Sequence, residues 1–119
     1  MQIIELTGTA AADGSLTLTS TVQARGFLEK VVNVNTSLAS TADITITCED
    51  SYSEAITTIT DQAQANASYY VRAIPSKVAD ASAFTDAGCK MFLTGTIKVV
   101  IAQGGNAGVA RILVYLSDE

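Results

Sequence analysis

Three groups of residues in this 119-residue chain have the types and spacing that chemistry could use. The first is Gly104-Gly105-Asn106-Ala107-Gly108, inside GTIKVVIAQGGNAGVARILVYL (95–116), where a glycine-rich loop offers backbone N–H groups to an anion. A phosphate loop also needs a Lys and a Ser or Thr just after its last glycine, and it must open a helix. Here Gly108 leads into Val109-Ala110-Arg111 and a β-patterned run. A hairpin turn explains the glycines instead, through their tolerance of positive φ. The second group is Cys48 and Cys89. Zinc needs about four ligands in close pairs, and the chain has no histidine. Buried thiols acting as small hydrophobes are the favoured reading; the alternative is a disulfide, whose loop would contribute ~4 kcal/mol if unstrained. The third is the acidic set Glu49, Asp50 and Glu54. It lacks the ordered ligand ladder of a calcium loop and reads as a solvated turn.

Without histidine, Ser-His and Cys-His nucleophiles are excluded, and no serine has flanks that single it out. The expectation is therefore a non-enzymatic protein with no catalytic residue, no cofactor and no metal site.

The elements that carry these residues read as strands. Leu16 and Leu18, with Val22, share one face of 15–22, and Thr17, Thr19 and Thr21 the other. Over 27–36, Leu28, Val32 and Val34 fall on one face, interrupted by Lys30. Ile44, Ile46 and Cys48 alternate with Thr45 and Thr47, which puts Cys48 on a core face. Further strands are expected over 2–9, 68–74, 93–101 and 109–116, with Pro75 closing the 68–74 run. Residues 50–67 have a capping-box spacing at Ser51 and Glu54 and a helical repeat at Ile56, Ile59 and Ala63. Thr57, Thr58 and Thr60 oppose a helix, so a strand around 55–60 is preferred. The stretch from about 76 to 90 is a long loop and the first candidate to reach a partner.

Seven or eight short strands with one proline in the chain predict an all-β fold, an antiparallel β-sandwich of jelly-roll type, in a single domain over 1–119. Charged residues make up only 16% of the chain, against about 25% in typical domains, so threonine and serine must cover much of the surface. A net charge of −5, with seven scattered basic residues, argues against nucleic acid as a partner. No apolar run approaches the ~18 residues of a membrane span, and MQIIELTGTA has no signal-peptide pattern, so synthesis in cytosol is expected.

The last strand is mainly apolar on both faces, with Val109, Arg111, Leu113 and Tyr115 opposite Ala110, Ile112, Val114 and Leu116. That second face asks for cover from outside the monomer, and Ile3, Val31, Leu113 and Tyr115 are the candidate interface residues of a homo-oligomer. The competing account is cover by a second sheet or a loop of the same chain.

ADITIT (42–47), ASYYVRA (67–73) and TGTIKVVIAQGGNAGVARILVYL (94–116) together resemble small structural proteins of tailed bacteriophages. In these a strand ending in Ile-x-Val-x-Val-Ala-x-Gly-Gly-Asn-Ala precedes the final strand. The likeness is specific over 94–116, looser over 42–73 and absent from the first 40 residues; Val109-Ala110-Arg111 replaces a Gly- or Thr-rich step. The resemblance implies a β-sandwich module that decorates or cements the outer surface of the phage head. It also implies the major capsid protein as partner, a trimer and a place in the virion. A neck or tail connector is the alternative within that context. A carbohydrate-binding module is the alternative outside it, weakened by the absence of tryptophan.

Overall fold

The computed structural model describes residues 1–35, 37–49, 53–59, 67–70 and 90–118. Seven strands account for most of them: β1 (Gln2–Thr9), β2 (Leu16–Asn35), β3 (Asp43–Glu49), β4 (Ser53–Ile59), β5 (Ala67–Tyr69), β6 (Phe92–Ala102) and β7 (Val109–Ser117). No helix occurs among the described residues. The chain is all-β and antiparallel throughout. The strands hydrogen-bond as one open sheet in the order β1-β7-β2-β6-β3-β4, with β5 added to β2, so the pairing does not divide into the two separate sheets of the expected sandwich.

The 20-residue β2 shapes the molecule. Its first part pairs with β6 from Leu16 to Phe27, and its second with β7 from Phe27 to Asn35. Fully extended it would span about 66 Å at ~3.3 Å per residue, yet the longest dimension of the molecule is 49 Å. The strand therefore bends back. The bend falls near Gly26, whose φ of +147° suits glycine alone and whose missing side chain leaves room for the Ser117 carbonyl. Both ends of β2 thus return to one pole, where Gly104 contacts Gly14 before the strand and Ala39 after it.

Two irregularities set which β2 side chains face inward. Thr19 pairs with Lys98 and Gln23 with Thr96, so residues 20–22 stand opposite Ile97 alone. Ser20 fills the gap: its buried Oγ accepts from the Ile97 N–H at 3.0 Å and donates to the Val22 carbonyl at 2.7 Å. Val22 is pushed outward and is 55% exposed, where simple alternation placed it with Leu16 and Leu18. The second irregularity inserts Glu29 between Leu28, paired with Leu116, and Lys30, paired with Tyr115. One extra residue reverses the alternation. Leu28 and Val31 point inward, whereas Lys30, Val32 and Val34 turn toward the opposite face.

The inward residues form one core. Ile4 and Leu6 of β1, Leu28 and Val31 of β2, Ile44, Ile46 and Cys48 of β3, and Ile56 and Ile59 of β4 belong to it. So do Leu93, Ile97, Val99 and Ile101 of β6 and Ala110, Ile112, Val114 and Leu116 of β7. The alternation expected for β3, β6 and β7 is the one observed. β1 lies across the first half of β2. Gly8 is so close to Leu18 that a side chain there would overlap it, and the Gln2 amide donates to the Gln23 carbonyl at 2.9 Å and accepts from the Arg25 N–H at 3.0 Å.

Residues 53–59 are strand, in agreement with the preference over a helix; 60–66 lie outside the described residues. β5 ends at Tyr69, and 71–74 with the expected long loop up to 89 are likewise outside them.

Candidate interaction surface

The loop 103–108 is not the turn of a hairpin. β6 and β7 do not pair, because β2 lies between them in the sheet. The loop is an arch that carries the chain from one side of β2 to the other, and its glycines serve close packing more than positive φ. Of the three, only Gly105 has φ in the left-handed region (84°), which Gln103 (59°) and Ala107 (57°) also occupy. A Cβ on Gly108 would lie 2.3 Å from the Gly104 carbonyl oxygen, and one on Gly104 would lie 3.0 Å from that of Gly14.

Backbone groups of the arch are committed inside the protein. The Gly104 N–H donates to Gly14, and Gly108 N–H to Gly105; the Gly104 carbonyl accepts from Ala39 and the Gly108 carbonyl from Ala10. Ser37 adds an Oγ that accepts from the Val109 N–H at 2.8 Å. Two arches, 10–15 and 103–108, and the segment after β2 are thereby knotted at one pole. The N–H groups of Gly104 and Gly108 are therefore occupied by carbonyl acceptors of the protein itself, which takes them from any anion.

Among the described residues no three His, Cys, Asp or Glu side chains converge as metal ligands, and no pocket is found. Cys48 is fully buried with Sγ 3.4 Å from the Thr94 carbonyl, while Cys89 lies outside the described residues. Of the acidic set, Glu49 sits 3.8 Å from the Lys98 ammonium; the side chains of Asp50 and Glu54 are not among those described.

What remains is surface. On the outside of β1, β7 and the second half of β2, the register places Ile3 beside Tyr115 and Tyr115 beside Lys30. The next row is Glu5, Leu113 and Val32, and the third is Thr7, Arg111 and Val34. Ile3 is 54% exposed; Leu113, Tyr115, Val32 and Val34 are half-buried. Arg111 and Glu5 pair at 2.8 Å on this face, and Lys30 Nζ lies 4.8 Å from the centre of the Tyr115 ring.

Three of the four residues expected at an interface are therefore together. Val31 is not with them: it is completely buried, and Val32 takes its place on the outer face. The cause is the extra residue Glu29, which no alternation pattern reveals. Its carboxylate accepts from Ser117 Oγ at 2.7 Å and pairs with Lys90.

The outside of the other half differs in chemistry. Thr17 and Thr19 of β2, Thr45 and Thr47 of β3, and Thr94 and Thr96 of β6 line it, with the Lys98–Glu49 pair and two exposed apolar residues of β6, Phe92 and Val100. These hydroxyl-bearing positions supply the low-charge exterior implied by the composition. Compared with protein-family models, with curated proteins and with solved structures, the chain matches none.

Proposed function

We propose that the protein is a non-enzymatic structural component of a phage virion, which binds the outer surface of the head and stabilises contacts between major capsid protein subunits. The observation that carries this is the mainly apolar outer face of β1, β7 and β2, formed by Ile3, Val32, Val34, Leu113 and Tyr115 on two adjoining hydrogen-bonded ladders. A face with a mainly aliphatic centre and a tyrosine suits protein docking, where aromatic anchors and excluded water supply most of the affinity. The resemblance of 94–116 to phage structural proteins supplies the context. Because β7 ends that segment and also centres the face, the two supports meet on the same residues.

Many copies on a repeating lattice would let modest single contacts accumulate. Assembly as a trimer around a junction of capsomers is part of the proposal, as is a final location on the capsid surface after synthesis in the host cytoplasm. Co-sedimentation with bare heads tests it. Wild-type protein is expected to pellet with heads, and Leu113→Asp to lose binding by at least about tenfold, since a carboxylate replaces an apolar contact at the centre. Light scattering should give about three times the 12.4 kDa chain mass. Failure of the wild type to bind heads, or density in electron cryo-microscopy confined to the neck or tail, would overturn the head assignment.

A further inference from the structure

The docking face contains an ammonium group without a carboxylate. Among the described residues Lys90 pairs with Glu29, Lys98 with Glu49 and Arg111 with Glu5. Lys30 has no such pair and rests instead on the ring of Tyr115. The carboxylate of its chain neighbour Glu29, the extra residue of the strand, pairs with Lys90 and accepts from Ser117 Oγ. Glu5 is already engaged by Arg111 through both Nε and a terminal nitrogen, at 3.1 and 2.8 Å. The face is thus apolar with one surplus positive charge, on a protein whose net charge is −5.

We infer that the partner surface supplies a carboxylate that meets Lys30 at the edge of the Tyr115 ring, among apolar contacts to Ile3, Val32 and Leu113. The inference rests on the proposed docking of this face to the head and adds the chemistry of what docks there. Three features favour it. Lys30 is held against Tyr115 before binding, so less side-chain freedom is lost on pairing. The contact lies at the margin of the apolar rows, where an incoming carboxylate is partly desolvated and the attraction is stronger than in open water. A second copy of this acidic chain is the less suitable occupant, because among the described residues the three rows of its face carry one carboxylate, that of Glu5, and Arg111 holds it.

Co-sedimentation with bare heads, from low to high sodium chloride, tests the inference with wild type, Lys30→Met, Lys30→Arg, Lys30→Glu and Leu113→Asp. Lys30→Met keeps most of the apolar stem and is expected to weaken binding about tenfold at low salt and to flatten its salt dependence. Lys30→Arg should stay within about threefold of wild type, and Lys30→Glu should bind less well than Lys30→Met because two carboxylates then meet. Wild-type affinity and salt dependence in Lys30→Met would overturn the carboxylate while leaving head docking intact, provided Leu113→Asp is still defective. Equal binding by wild type and Leu113→Asp would remove the face itself, and this inference with it.

Discussion

Single atoms decide the behaviour of the glycine pole. Gly108→Ala places a methyl group 2.3 Å from the Gly104 carbonyl oxygen, which belongs to backbone and cannot swing aside. We expect a loss of about 2–3 kcal/mol and a fall of roughly 10 °C in Tm, measured by thermal denaturation. A change under about 0.5 kcal/mol would mean that the arch repacks freely. At the same pole Asp13 accepts from Ser15 Oγ at 2.7 Å and from the Ser15 N–H at 3.0 Å. The side-chain bond first, then the backbone bond, holds its carboxyl below the ordinary 3.8. A depressed value in the folded state stabilises the fold above the unfolded value, and this contribution is lost as pH falls through the lowered one. Carbon NMR titration of Asp13 should give a midpoint below 3.8, and a midpoint at or above it would refute the geometry. The turn at Asp13-Gly14 was legible because both residue types favour it locally. The role of Gly104 and Gly108 was not, because their neighbours Gly14, Leu38 and Ser37 are remote in sequence.

Strands are the scale at which alternation succeeds or fails. In β3, β6 and β7 nothing interrupts the period of two over the paired residues, so the inward set could be read directly from the order of apolar residues. β2 breaks the period twice, at 20–22 and at Glu29, and each break reverses or displaces a face that the residue types alone cannot relocate. The contrast between Val31 and Val32 tests this. Val31→Lys puts an ammonium where no surface is exposed and should cost at least about 3 kcal/mol or prevent folding. Val32→Lys, one residue on, should stay within about 1 kcal/mol of wild type in urea denaturation while impairing docking. Similar losses from both variants would show that the strand slides in register. Sequence also suggested that β6 and β7, as neighbours in the chain, pair with one another; adjacency is a good guide to hairpins but carries no information about a third strand that enters between them.

The molecule as a whole is held by pairings between distant parts of the chain. Of the ladders β1–β7, β2–β6, β2–β7, β2–β5, β3–β6 and β3–β4, only the last joins consecutive strands. Such a topology closes long loops before contacts repay the entropy, so refolding in stopped-flow experiments should take milliseconds to seconds. A microsecond phase carrying the full amplitude would contradict it. The all-β class was legible because threonine and branched aliphatics dominate and proline is nearly absent. The back-folded sheet was not, since it depends on one bend at Gly26 and on the fit of the two arches. The β1–β7 ladder has a further, mechanical consequence. Gln2 stands opposite Leu116, so the outer ends of both strands emerge at the same pole. Tension applied at those two points would load the ladder one rung at a time, as in opening a zip fastener. A load spread over the outer face would instead be shared by all the rungs together, so the same sheet is weak when tugged by its ends and strong when pressed onto a surface.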